Sequence, residues 1–252
     1  MKKFIADKFF IIAFLVLWEL IARLGLVNPL FIPAFSKVVM TIGELLVSGV
    51  LLSHIIISLQ RALCGFLVAA VIAIPLGLVM GGWFRNVQLA LDPLFSLASQ
   101  LNPFILFHVI ILFAGIGEIA KTTIIAWICI WPILFNTRSG VRNMDATLLK
   151  LALSFGINRF TLFYKIILPA AAPAIFTGLR LSAGYAFFLL IVTEMMGSNS
   201  GLGWFILYSQ ENYRIEWIFS GAVVIALLGL AIDLLLKQAE KKIIVWENNS
   251  VN

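Results

Sequence analysis

The chain has 252 residues, 62% of them hydrophobic and 12% charged, with a formal net charge of +6, and its mean hydropathy is +1.06. A soluble domain of this length carries about twice that share of charge, so a surface facing mostly water is excluded and lipid is the implied solvent. The Lys and Arg residues are scattered through short segments between apolar runs, a pattern of topology signals, and no clustered basic face offers a nucleic-acid surface. Cys64, Cys129, His54 and His108 stand apart, with neither CxxC nor metal-site spacing.

In chain order, Lys2, Lys3 and Lys8 precede an apolar run, Phe9 to Ala22, that ends at Arg23 without a small-x-small cleavage site. It reads as a retained first span rather than a signal peptide. Crossing ~30 Å of hydrocarbon takes about 20 residues. That criterion predicts six spans, near 6–24, 58–82, 89–114, 118–138, 170–195 and 216–237. Pro75 interrupts the second, Asn102-Pro103 the third and Pro132 the fourth. Such breaks are tolerated where neighbouring helices or lined cavities satisfy the freed carbonyls. Residues 34–52, with Val38, Ile42, Leu45 and Leu46 at helical spacing around Lys37 and Glu44, predict an interfacial amphipathic helix. Glu19 and Asp233 sit near span ends, where snorkelling accounts for them.

With an inside N-terminus, alternation puts Lys2, Lys3, Lys8, Arg85, Arg138, Arg142, Lys150, Arg159, Lys165, Lys237, Lys241 and Lys242 on one side. The other side receives Lys37, Lys121 and Arg214, with Arg23 and Arg61 near it. The bias predicts cytoplasmic termini. The predicted organisation is a first span with the interfacial helix over 1–57, a core of spans over 58–240 that includes a cytoplasmic loop at 143–169, and a tail at 241–252.

That loop, NMDATLLKLALSFGINRFTLFYKIILP, carries the most information. Asp145 is a suitable N-cap for a helix from Ala146, and Gly156 a suitable terminator. Asn158 can cap a second short helix that Pro169 closes. The first helix is apolar nearly all round (Leu148, Leu149, Leu151, Leu153, Phe155) yet too short to span. Packing beneath its own bundle or against lipid is one use for such a face. Insertion into a partner's groove is the other, and the Gly hinge favours it.

Gly156 to Pro169, with Ile166 and Leu168, resembles the cytoplasmic signature loop of binding-protein-dependent ABC importer permeases. In that family the loop opens Glu-Ala-Ala, continues to a Gly and ends Ile-x-Leu-Pro. Lys150 stands in the place of the Glu, Leu151 in that of the first Ala, and Ala152 matches. Further blocks are similar in co-linear order to the branch that imports nitrate, sulfonates and taurine: SLQRALCGFLVAAVIAIPLGLVMG (58–81), FAGIGEIAKTTIIA (113–126), PILFNTRSGVRNMD (132–145), LPAAAPAIFTGLRLSAG (168–184) and TEMMGSNSGLG (193–203).

The resemblance implies an all-α integral membrane protein of the type I ABC importer permease fold, with about six transmembrane helices and a cytoplasmic two-helix coupling loop. It implies a bacterial inner-membrane location, an ABC ATPase dimer, an external solute-binding protein and a second permease copy as partners. The coupling contact would involve Asp145, Leu149, Lys150, Ala152, Gly156, Ile166, Leu168 and Pro169. Lys150 inverts the family's charge, so either the partner's groove compensates or that contact is peripheral. No phosphate loop of the G-x-x-x-x-G-K-[ST] kind occurs, and the Gly-rich stretch 197–203 lacks its lysine, reading instead as a flexible outer loop or contact site. No cofactor is expected on this chain, with ATP and Mg on the partner ATPase.

Gln100, Asn102 and His108 at the broken third span, together with Glu194 at the end of the fifth, are the candidate solute-pathway residues. Interhelical hydrogen bonding is the bland use of the first three, and an outer structural or gate role is the first reading of Glu194. Arg180, in the TGLR block, either snorkels to headgroups or attracts an anionic solute. Gly77 and Gly81 predict a close helix contact. The alternative class is a self-sufficient secondary transporter or channel, which would bury ionisable groups at mid-membrane and often repeat its halves. No convincing repeat is detected.

Overall fold

The computed structural model describes residues 2–28, 31–82 and 85–244, and among them every regular element is helical. In chain order these are α1 (Lys2–Arg23), α2 (Phe35–Val47), α3 (Val50–Gly82), α4 (Arg85–Ser99), α5 (Pro103–Ala114), α6 (Glu118–Arg142), α7 (Ala146–Ser154), α8 (Arg159–Leu162), a π-helical stretch (Phe163–Ile167), α9 (Leu168–Gly197), α10 (Leu202–Glu211) and α11 (Ile215–Ile243). Among the described residues, α3, α6, the run containing α9, and α11 are long and apolar enough to cross a bilayer. The pair α4–α5 is a fifth if it is one broken span.

The predicted first span is helical as α1, but Asp7, Lys8 and Glu19 fall in every 18-residue stretch of it, more charge than a fully apolar span carries. The third predicted span is bent by 90° between Ser99 and Pro103. Pro103 pushes the residue before it out of the helical region, and Asn102 is accordingly extended, with ψ 120. The second span starts earlier than predicted. The amphipathic α2 ends at Val47, and Gly49 in a left-handed conformation (φ 76) lets α3 begin at Val50.

The chain forms two compact units, Met1–Ser58 with Glu194–Leu228, and Leu59–Thr193 with Gly229–Asn252. In the first, Trp18 anchors α1: its Nε1 donates to Pro33 O at 3.0 Å and its ring packs on Phe35 and Phe219. Glu19 does more than the snorkelling predicted for it. The N-cap of α2 is Ala34, which has no side-chain acceptor. Glu19 supplies one from α1, accepting from the Ser36 N–H at 2.9 Å and the Ser36 hydroxyl at 2.8 Å. A carboxyl group there satisfies an orphan donor and suits the positive end of the helix. Lys37 of the same turn pairs with Glu216 at 2.6 Å.

In the second unit, three glycines of α3 lie against α6. A Cβ on Gly65 would come 2.5 Å from Ile125 Cγ2, on Gly77 2.7 Å from Thr137 Cβ, and on Gly81 2.6 Å from Val141 Cβ. Lipid provides no hydrophobic drive between helices, so association rests on this kind of close backbone approach. A neighbouring face of α6 meets α9 in the same way. Gly140 abuts Ala174, and Gly178 abuts the Pro132 carbonyl, where a Cβ would lie 2.9 Å away. Ser182 Oγ donates to Cys129 O at 2.9 Å across that contact. The predicted small-residue face of Gly77 and Gly81 is thus one part of a longer seam.

The seam predicts an ordering of glycine variants. Gly77→Val should lower stability by about 1–3 kcal/mol or more through overpacking. Gly43→Ala in α2, where nothing lies within 4 Å of the added carbon, should be neutral or gain up to about 1 kcal/mol from helix propensity. Thermal unfolding of the detergent-solubilised proteins reads both.

Candidate functional site

The loop at 143–169 folds from local rules. Asp145 Oδ1 accepts from the Thr147 N–H at 2.8 Å, which caps α7 and holds the Asp145 carboxyl below its ordinary range. Gly156, with φ 69, reverses the chain after α7. Asn158 Oδ1 then accepts from the Thr161 N–H at 2.7 Å and caps α8.

The predicted stop at Pro169 is not observed. The helical path continues from α8 through the π stretch into α9, with Pro169 as the second residue of α9. Proline removes one donor and crowds the carbonyl four residues back. The wider π turn, in which the Leu168 N–H donates to Phe163 O, makes room for that ring. Pro169 therefore re-registers a continuous helix instead of ending one.

The two short helices have two distinct faces. Ala152, Leu162 and Ile167 are buried against Leu78, Val141, Ala171 and Ile175, with Ile166 and Leu168 packed on the same cluster. This side docks the loop onto α3, α6 and α9. The other side is open: Leu148, Leu151 and Phe155 are 53%, 55% and 75% exposed, and Phe160 and Tyr164 add two more exposed rings, with centroids 4.6 Å apart. The side chains of Leu149 and Lys150, both assigned to the coupling contact by resemblance, lie outside the described residues. Among the other assigned residues, Asp145 and Gly156 shape the loop, while Ala152, Ile166 and Leu168 anchor it. The exposed Phe160 and Tyr164 escaped the sequence reading because their apolar spacing merges with the start of the next span.

The residues assigned to a solute pathway divide between the two units. Gln100 and Asn102 share the α4–α5 bend, and Asn102 caps α5, its Oδ1 accepting from the Phe104 N–H at 2.9 Å. His108 is exposed, with Nδ1 2.7 Å from the Phe104 carbonyl. Glu194 belongs to the first unit and is fully buried. The Ser58 hydroxyl lies 2.8 Å from both of its oxygens, and the Gly203 N–H donates to Oε2 at 3.0 Å. Ser58 Oγ in turn accepts from the Leu202 N–H at 2.8 Å, and His54 Nδ1 accepts from the Gly201 N–H at 3.1 Å.

Three successive N–H groups at the start of α10 are therefore satisfied by His54, Ser58 and Glu194. Gly201 has φ 109, and a Cβ there would collide with the Glu194 carboxyl. Of the two readings of the Gly-rich stretch 197–203, a flexible outer loop or a contact site, the structure shows contacts: the start of α10 is held by a buried acid. His54 is clasped by the rings of Trp204 and Phe205, and Phe205 stacks on Trp217. No local sequence signal reveals His54 and Ser58 as partners, since the contacts span well over a hundred residues.

Residues 73–245 match the family described as binding-protein-dependent transport system inner membrane component. The putative aliphatic sulfonates transport permease protein SsuC of Bacillus subtilis is 33% identical over 92% of this chain and 84% of its own length. The taurine transport system permease protein TauC of Escherichia coli is 28% identical over 92% of this chain and 86% of its own. The fold is similar to a chain of the inward-facing MetNI methionine ABC transporter, with TM-score 0.66 and 15% identity over 74% of this chain and 92% of that one. The chain belongs to the family of binding-protein-dependent transport system inner membrane components. It is a multi-pass membrane permease of the ABC importer class.

The buried acid yields a prediction. Glu194→Ala removes the acceptor of the Gly203 N–H and of the Ser58 hydroxyl, at roughly 1–3 kcal/mol for each buried polar group left without a partner. Glu194→Gln keeps an acceptor and should lose less. Limited proteolysis at residues 198–201 and thermal unfolding in detergent should rank the wild type above Gln and Gln above Ala.

Proposed function

We propose that this chain forms, with a second copy of itself, the translocation pathway for a small solute such as a sulfonate, taurine or nitrate. An external binding protein delivers the solute, and a separate ABC ATPase dimer that holds ATP and Mg supplies the energy. The names of the similar permeases support the solute class. The absence of a phosphate loop anywhere in the sequence supports hydrolysis on another chain. The excess of basic residues on one side of the spans supports cytoplasmic termini in a bacterial inner membrane, with the 146–167 helices on the cytoplasmic side.

The observation that carries the coupling role is the two-sided loop. Its inner side is fixed to α3, α6 and α9 by Ala152, Leu162 and Ile167, so a displacement of the loop moves the bundle. Its outer side exposes Leu148, Leu151, Phe155, Phe160 and Tyr164. An apolar patch on a short helix suits a partner's groove, and each side chain buried there contributes about 1.5–3 kcal/mol.

Because the outer residues are exposed, charging them should leave the fold intact. Phe155→Glu and Leu148→Glu are expected to insert normally into the membrane and to retain the wild-type unfolding temperature. Each should lower the amount of ATPase that copurifies by about tenfold or more, the equivalent of ~1.4 kcal/mol, and abolish solute-stimulated hydrolysis. Unchanged copurification with full stimulation would rule out this face as the coupling surface.

A further inference from the structure

We propose that the groove between α9 and the C-terminal part of α11 binds one phospholipid with an ammonium-bearing zwitterionic headgroup, of the ethanolamine type. Its assignment to the cytoplasmic leaflet rests on the topology proposed above; the binding itself does not. The groove has a volume of about 770 Å³ and lies open along its side. Along α9 its lining changes from Arg180 to Leu181, Gly184, Tyr185 and Phe188, while α11 contributes Asp233 and Lys237. Charged groups therefore sit with a greasy channel, and Leu181, Tyr185 and Phe188 are each about half exposed. That is the polarity of a headgroup joined to an acyl chain. A small sulfonate would use the charged groups and leave the aromatic walls wet.

The charges select the headgroup. Arg180 pairs with Glu240 at 3.4 Å and Lys237 with Asp233 at 2.6 Å, all four side chains partly exposed. Exposed pairs of this kind hold loosely, so each can exchange its partner for a ligand at little cost. Two cations beside two carboxyl groups balance formally, which suits a zwitterion over an anionic lipid. The cations take the phosphate, with Arg180 offering its fork of donors. A carboxyl group released by its cation, Asp233 in the groove lining or Glu240 beside Arg180, accepts from an –NH3+ group. A trimethylammonium group has no N–H to donate, so a choline lipid loses those bonds.

The test uses the full-length permease purified together with its ATPase partner, delipidated, and offered an equal mixture of ethanolamine, choline and glycerol phospholipids. Native mass spectrometry should find one ethanolamine lipid per permease copy, retained about tenfold over either competitor, a preference of ~1.4 kcal/mol. The double variant R180Q/E240Q should lose that preference. If it misfolds, Gly184→Phe decides instead. Nothing lies within 4 Å of a Cβ at Gly184, and Gly184 lines the groove, so a phenylalanine there starts into open space and leaves all four charged residues unmutated. This variant should shed the lipid while keeping the wild-type unfolding temperature.

Equal retention of ethanolamine and choline lipids, or unchanged retention in Gly184→Phe, overturns the proposal. Displacement of the lipid by millimolar taurine overturns it as well, in favour of a solute site. The transporter reading fails separately, if no ATPase copurifies with a chain that still binds the lipid.

Discussion

The second unit rests on the distance of closest approach between α6 and its neighbours. In hydrocarbon, apolar side chains gain nothing by meeting one another rather than lipid, so tight backbone contact has to supply the association. Gly65, Gly77 and Gly81 bring α3 onto one side of α6, while Gly140 and Gly178 bring α9 onto another. Each contact is short enough that one additional carbon would force a shift, so the three helices have little freedom to slide. A stiff triple of this kind can pass on a displacement, where a loosely packed bundle would absorb it.

That stiffness gives the loop at 143–169 its meaning. Val141 belongs both to the seam, where it faces Gly81, and to the apolar cluster that seats Ala152, Leu162 and Ile167. The joint between loop and bundle is thus continuous with the helix packing. The Asp145 and Asn158 caps and the Gly156 reversal fix the shape of the loop from within, so the exposed apolar face is presented by a preformed element. Preorganisation of this sort limits the ordering cost on binding.

The sequence was legible where the physics is local. Asp145, Gly156 and Asn158 announce a cap, a left-handed turn and a second cap through residue type alone, and the structure has all three. Pro169 was misread because its usual effect, ending a helix, depends on whether the preceding turn can widen, and Phe163–Ile167 does so. Glu19 does more than the snorkelling expected of it, and for Glu194 the structural or gate reading leaves its partners unnamed. Each looked like an acid at the end of a span, but each satisfies backbone donors at the start of another helix, α2 and α10 respectively. Ser36 and Gly203 have no local mark that would assign them to these acids. Helix N-termini are fixed donors in need of acceptors, and when the adjacent residue is Ala34 or Gly201 the acceptor has to come from elsewhere in the chain.

The Thr177-Gly178-Leu179-Arg180 block shows how one short motif can answer two packing demands at once. Residues two apart on a helix point about 200° apart. Gly178 faces α6, where only hydrogen fits against the Pro132 carbonyl, and Arg180 faces α11, where Glu240 stands at 3.4 Å. Thr177 Oγ1 donates to Pro173 O at 3.0 Å, supporting the turn beside a proline. On α6, Asn136 Nδ2 likewise donates to Pro132 O at 2.8 Å, so that carbonyl is used from within its own helix while Gly178 presses on it. Helix α9 is therefore wedged by a glycine on one side and carries on the other an arginine in a loose, part-exposed pair with α11. A substitution at either position would disturb a different neighbour, which is why the motif cannot be reduced to a charged residue that happens to sit near a membrane surface.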